Sequence, residues 1–218
     1  FSTREQVTGQ AAVGGVNAAA EDRVLSSDVL FAVYNIKRGQ DIYESYFSNT
    51  LESNRLLAVS ENGYNNLYPE AGDLRTYQWQ QKRDAVGNDV RVMVKYEAME
   101  VDGQQYPYMI PVLRMSEMYL IAAECYGSVE PVNMTLAYQR LNALRSARKV
   151  STVDSALDIT IEDEYAREFV GEGQLFWYYK RRNAPFIARL YDRTLPDVSM
   201  TQENYLFDLP QSEDGFRD

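Results

Sequence analysis

The 218-residue chain carries 22 Lys+Arg against 32 Asp+Glu, a formal charge of −10, which argues against phosphate backbones and anionic headgroups as partners. It has no histidine, so the commonest general base, the usual zinc ligand and every Ser-His or Cys-His dyad are excluded, leaving carboxylate chemistry for any enzymatic role. The single cysteine, Cys125, excludes an internal disulfide, and no apolar run reaches the roughly 18 residues that would suggest a membrane span.

The chain begins with Phe1 and shows no leader pattern, so it reads as processed, with any anchor or targeting segment outside these residues. Residues 1–27 open with FSTREQVTGQAAVGGVNAAAEDRV, rich in small and polar residues, and read as a loop with a frayed helix end. DVLFAVYNI (28–36) is β-branched and aromatic and predicts a strand. YNNLYPEAGD (64–73) carries Asn, Pro and Gly and predicts a loop. TYQWQQKR and DVRVMVKYEAMEV flank DAVGN, which predicts a hairpin, and VDGQ (101–104) signals a tight turn into QYPYMIPV.

From residue 112 the period turns helical: Leu113, Met118, Ile121, Ala122 and Cys125 mark one helix face, until GSVEPVN breaks it. Met134, Ala137, Leu141, Leu144 and Arg148 mark a second helix, with Ala122, Ala123, Ala137, Ala143 and Ala147 small enough for close backbone approach. Two helices on a short connector predict an antiparallel hairpin of tetratricopeptide type, and no second copy of the unit is present. One such unit cannot bury its apolar face alone, so it packs on the β part or lacks neighbouring repeats. A third helix is expected near TIEDEYAREF, with Thr160 and Asp163 as a capping box. LFWYYKRR (175–182) predicts a core-packing helix with a basic C-terminal end, and NYLFDLPQSED a strand-like tail stopped by Pro210. The expected fold is mainly α with minor β: a tetratricopeptide-like hairpin packed with loops and small β-hairpins in one region. Its strand- and loop-rich part is 28–110, its helical part 111–183 and its tail 184–218.

Three constellations carry possible chemistry. Arg114 and Glu117 stand i and i+3, Glu124 lies two turns further on, and Arg145 is a candidate cross-partner. An ion-paired seam fixing helix register is expected there rather than a catalytic site. Glu164, Glu168 and Glu172 recur at steps of four, which suggests either a solvated acidic face neutralised in part by Arg167 or a glycosidase acid–base pair. Tyr64, Tyr68, Tyr77 and Trp79 lie among Asn62, Asn65 and Asn66. Rings that cover sugar C–H faces beside amides that take hydroxyls make Tyr64, Asn65, Asn66, Tyr68, Tyr77 and Trp79 the candidate ligand set; the alternative is half-buried aromatics with wet polar tips. Cys125 on an apolar face is expected as a small buried hydrophobe. EVDG lacks the ligand spacing of a calcium loop and AVGGV lacks a phosphate cradle, so no metal or cofactor is expected.

RMSEMYLIAAECYG, AYQRLNALRSAR, IEDEYAREFVGEG and NYLFDLPQSE, in that order, resemble the C-terminal half of the SusD/RagB family of outer-membrane nutrient-binding lipoproteins. DLRTY and KYEAM add to a resemblance that spans roughly residues 28–215. It implies a mostly helical, non-enzymatic protein on the external face of the outer membrane. Such a protein is tethered through a lipidated cysteine outside this chain, caps a SusC-like TonB-dependent transporter and captures an oligosaccharide or other nutrient. Arg114, Glu117, Glu124, Asn142, Arg145, Glu164, Glu172 and Gly173 match family signature positions and are read as architecture. Tyr165 stands where the family has Arg, an Arg expected after Glu-Gly is absent, and the family's N-terminal half, with most of its hairpins, is not in the chain. The alternatives are a helical-hairpin interaction module without a sugar ligand and a carboxylate-based glycoside hydrolase.

Overall fold

The computed structural model describes residues 28–34, 42–97, 100–101, 104–105, 109–189 and 194–207. Strand β1 (Val29–Tyr34) is followed by a π-helical turn (Tyr43–Phe47), β2 (Ala58–Val59), helix α1 (Glu61–Leu67) and a 3-10 turn (Leu74–Gln78). Next come β3 (Trp79–Arg83), β4 (Asp89–Met93), β5 (Glu100–Val101), β6 (Gln104–Gln105) and β7 (Met109–Arg114). Helices α2 (Met115–Ser128), α3 (Met134–Ala147), α4 (Leu157–Glu168) and α5 (Gln174–Arg181) follow. A short β8 (Phe186–Ile187) and β9 (Val198–Ser199) pair before a last 3-10 turn (Gln202–Tyr205). The architecture is mainly helical with small antiparallel sheets, as expected. None of the described helices is long and apolar enough to cross a membrane.

The helical hairpin forms as its small residues predict. Ala123 of α2 and Ala137 of α3 are fully buried, and Leu120, Leu141 and Leu144 pack between the two helices and α4. A side chain on Gly127 would meet the end of the Leu157 side chain, which would have to turn aside, so α2 lies close to the start of α4. Asn133 starts α3 by accepting from the Leu136 amide at 3.0 Å. Ile161, Tyr165, Tyr178 and Tyr179 extend the same core over α4 and α5, with the Tyr165 and Tyr178 rings stacked at 4.4 Å. A second core lies under the three-stranded sheet β2–β4–β3, where Tyr43, Phe47, Val92, Met93, Val94 and Tyr96 are buried.

The DAVGN hairpin is present: β3 pairs with β4 from Trp79↔Met93 to Arg83↔Asp89. Asp84 closes it by accepting from the amides of Val86 at 3.0 Å and Asn88 at 2.8 Å. β5 and β6 pair as the VDGQ signal predicts, although residues 102 and 103 of that turn lie outside the described residues. So do residues 1–27, residues 35–36 of the expected first strand, and the tail beyond Phe207.

Several expectations fail. The loop expected over 64–73 begins inside α1, because Ser60 accepts from the Gly63 amide at 3.1 Å and starts a helix three residues ahead of the loop signals. Arg114 ends a strand instead of joining a helix, since β1 holds 109–114 extended through pairs such as Val29↔Arg114. Thr160 does not cap α4: the helix starts at Leu157, and the Thr160 hydroxyl donates to the Ala156 carbonyl at 2.9 Å from inside it. Cys125 is exposed, on the side of α2 away from Ala123 and Leu120. The described start of the tail is a 3-10 turn, with Tyr205 buried and its hydroxyl donating to the Ala184 carbonyl at 2.9 Å.

Candidate functional site

Three of the six predicted ligand residues converge. Tyr64 on α1, Tyr68 just past its end and Trp79 at the start of β3 bring their ring centroids within 5.4 to 6.4 Å of one another. Tyr68 is buried and its hydroxyl is engaged twice, accepting from the Trp79 indole at 3.2 Å and donating to the Arg167 carbonyl at 3.1 Å. Burial pushes that hydroxyl's pKa well above the usual tyrosine value, so it stays a donor. Tyr64 and Trp79 are half-buried, and Asn65, Asn66 and Tyr77 are exposed. The Arg91 guanidinium lies 4.0 Å from the Tyr64 ring centroid and is itself paired with Glu61 at 3.0 Å. Tyr68 therefore anchors the cluster from below, with Tyr64 and Trp79 half-buried above it, while Asn65 and Asn66, one and two residues past Tyr64 on α1, lie off the helix face that carries Tyr64 and Tyr68.

The anchor rests on a buried ionic network. The Arg167 side chain donates to the Leu67 carbonyl at the end of α1 at 2.6 Å and to Glu164 at 2.9 Å. Glu164 also takes Arg75 at 2.7 Å and Arg145. Glu168 takes Arg148 at 2.7 and 3.0 Å, Arg75 at 3.4 Å and Arg114. Glu172 takes Arg114 and Lys95; Asp73 clasps Arg75 at 2.7 and 2.8 Å, and Asp28 meets Arg148. The side chains of Arg75, Arg148, Glu164, Glu168 and Asp28 are all fully buried.

Burial opposes the charge on Glu168, yet Arg148, Arg114 and Arg75 overcome it and hold the carboxyl well below the usual carboxylate range. Burial likewise opposes Glu164, and Arg75, Arg167 and Arg145 hold it low. Burial pulls the Lys95 ammonium below its ordinary value against the attraction of Glu172. Burial and neighbouring Glu172 push the Glu117 carboxyl up. The network can position backbone and rings; both oxygens of Glu164 and of Glu168 are already taken by guanidinium donors. Among the described residues no group of acids or cysteine is placed to hold a metal.

These contacts revise the expected pairings. Arg114 pairs with Glu168 and Glu172 in place of Glu117, because the end of β7 points it at α4. Glu124 pairs with Arg181 and Arg182 at 2.9 and 2.8 Å in place of Arg145, which turns to Glu164 and to Glu70 at 3.1 Å. The ion-paired seam exists, but it runs from the strands into α4 as well as between helices. The row Glu164, Glu168 and Glu172 is not solvated; it is the buried spine of the seam. A usable signal was present: Ile161, Glu164, Tyr165 and Glu168 share one three-four spacing, so the acids stand on the core face. Asn142 is architectural, as read: its amide exchanges hydrogen bonds with Val153 at 2.7 and 2.8 Å. Arg91 was missed, since nothing local marks this arginine of the central strand β4 as a ring partner.

The sequence profile of the SusD family matches residues 25–213. This chain belongs to the SusD family. Its fold is similar to that of a SusD superfamily protein from Bacteroides thetaiotaomicron VPI-5482, with TM-score 0.60 and 24% identity over 87% of this chain and 47% of that one. It is also similar to a SusD-like carbohydrate binding protein from Bacteroides vulgatus ATCC 8482, with TM-score 0.61 and 18% identity over 86% of this chain and 47% of that one. The SusD-family chain described here thus spans about half the length of these solved relatives, and at such identities the likeness is one of fold. Among curated proteins, none matches the chain.

Proposed function

We propose that the chain is part of a non-catalytic, glycan-holding nutrient receptor at the external face of the outer membrane, working over a SusC-like TonB-dependent transporter. The observation that carries the reading is the convergence of Tyr64, Tyr68 and Trp79, with the amides of Asn65 and Asn66 exposed on the helix that carries Tyr64 and Tyr77 exposed two residues before Trp79. Ring faces cover the C–H faces of a sugar and the amides take its hydroxyls. Family membership supports it, as does the carbohydrate-binding description of the relative from Bacteroides vulgatus. The hydrolase alternative loses support in the same geometry. Glycoside hydrolysis needs one carboxyl kept protonated, and the arginines hold Glu164 and Glu168 ionised.

A second reading, the interaction module, is favoured by one feature. Leu30, Phe31 and Val33 of β1, Leu113 of β7 and Met115 and Met118 of α2 are exposed along a two-stranded sheet and the helix that follows it. A glycan array probed with the wild type, Trp79→Ala and Tyr77→Ala separates the two. Binding of at least one glycan, lost in both variants, is expected; an empty array overturns the glycan reading in favour of the interaction module.

A further inference from the structure

A shallow groove of about 470 Å³ lies beside the ring cluster, between β2, the start of α1 and the β3–β4 ladder. Its polar lining comes from Ser60, Glu61, Gln81, Asp89 and Arg91, and exposed Ala58 opens onto it. None of these belongs to the ligand set read from the sequence. The volume falls in the range of about 300–1,000 Å³ typical of small-molecule sites.

Arg91 joins the groove to the rings. One side of its guanidinium lies on Tyr64, and its N–H groups donate to both Glu61 oxygens at 3.0 and 3.1 Å. Glu61 stands one turn before Tyr64 on α1, so Arg91, reaching over from β4, meets the carboxylate and the ring on one helix face. The Glu61 side chain is 56% exposed against 17% for Arg91, which leaves carboxylate lone pairs open to the groove. The Ser60 hydroxyl oxygen already accepts from the Gly63 amide, so its proton remains to donate.

The lining also has a sign. Its one guanidinium is bidentate to Glu61, and Asp89 adds a further carboxylate, held at 3.5 Å by a highly exposed Arg83. A neutral sugar finds acceptors in Glu61 and Asp89 and donors in Gln81 and Ser60. A uronate finds two carboxylates and a cation already taken. We infer that this groove is a second subsite contiguous with the ring cluster, and that it takes a neutral sugar unit and rejects a uronate. The inference rests on the glycan reading above.

The test is calorimetric titration of the full chain with two probes: the neutral oligosaccharide giving the strongest array signal, and tri-galacturonate. Val59 stands opposite Arg91 and shares its face of the sheet, so Val59→Trp places a bulky ring in the groove, and weakening of the neutral probe by about tenfold is expected. Glu61→Gln removes one carboxylate and frees Arg91, and a gain of roughly five- to tenfold for tri-galacturonate is expected. A structural role for Glu61 alone would not produce that gain. If Val59→Trp binds the neutral probe like the wild type while Trp79→Ala does not bind it, the subsite is overturned and the glycan reading stands. If Glu61→Gln leaves tri-galacturonate affinity unchanged, the charge selection is overturned. If the wild type binds no probe, the glycan reading falls and the subsite with it. Melting curves of each variant confirm that the fold is kept.

Discussion

Two regions distant in sequence but joined through Arg167 use charge in opposite ways. Glu164 and Glu168 are buried and taken up by arginines from β7, α3 and its C-terminal end, α4 and the Leu74–Gln78 turn. Around Tyr64 the one ion pair, Arg91–Glu61, sits at the rim with its carboxylate facing water. The first arrangement fixes where segments lie. Removing one partner leaves an uncompensated buried charge, which is why such a seam resists change. The second leaves polar groups available for exchange with a ligand. Arg167 links the two, because its side chain reaches Glu164 and the Leu67 carbonyl while its own carbonyl receives Tyr68.

The largest effect is expected in the seam. Glu168→Gln strands Arg148, Arg114 and Arg75 together, and a loss of about 3–5 kcal/mol in urea unfolding at neutral pH is expected. That is a large share of the roughly 5–15 kcal/mol typical of a domain. The matching pH dependence has a definite sign. Glu164 and Glu168 have folded pKa values below the unfolded carboxyl value of about 4.3. Their contribution is therefore complete above that value and drains away as pH falls through the folded values, where the unfolded chain binds more protons. Stability of the wild type should be nearly flat from neutrality to about pH 5 and fall steeply below about pH 4, with a shallower fall in Glu168→Gln.

A smaller effect sharpens the contrast at the link. Tyr68→Phe keeps the ring but removes the hydroxyl between Trp79 and Arg167, so a loss of about 1–2 kcal/mol in thermal or urea unfolding is expected. Glycan affinity should change less than twofold, because Tyr68 is buried.

Much of the fold was legible from periodicity and turn chemistry. The hairpin of α2 and α3 follows from apolar spacing with alanines at the contact, and the β3–β4 hairpin from DAVGN. Helix α1 was hidden because ENGYNNL is weak in helix propensity, and its existence depends on the Ser60 cap and on tertiary anchoring by Arg167. The seam was half legible. Its acids Glu164, Glu168 and Glu172 could be named, but their partners Arg75 and Lys95, and the further acid Asp28 that meets Arg148, come from distant segments, and which guanidinium meets which carboxylate is decided by packing. In the candidate site, the sequence put Tyr64, Tyr68 and Trp79 together on proximity alone. It could not separate the buried anchor Tyr68 from the outward residues, nor reveal Arg91 on the Tyr64 ring.

The chain contains two tryptophans, so Trp177→Phe leaves Trp79 as the single emission reporter. Titrating that variant with the neutral oligosaccharide selected on the array tests most directly that sugar is held at the rings. A saturable shift in Trp79 emission, with the same Kd as calorimetry, is the expected result. Calorimetric binding with no change in Trp79 emission would place the ligand elsewhere and contradict the account.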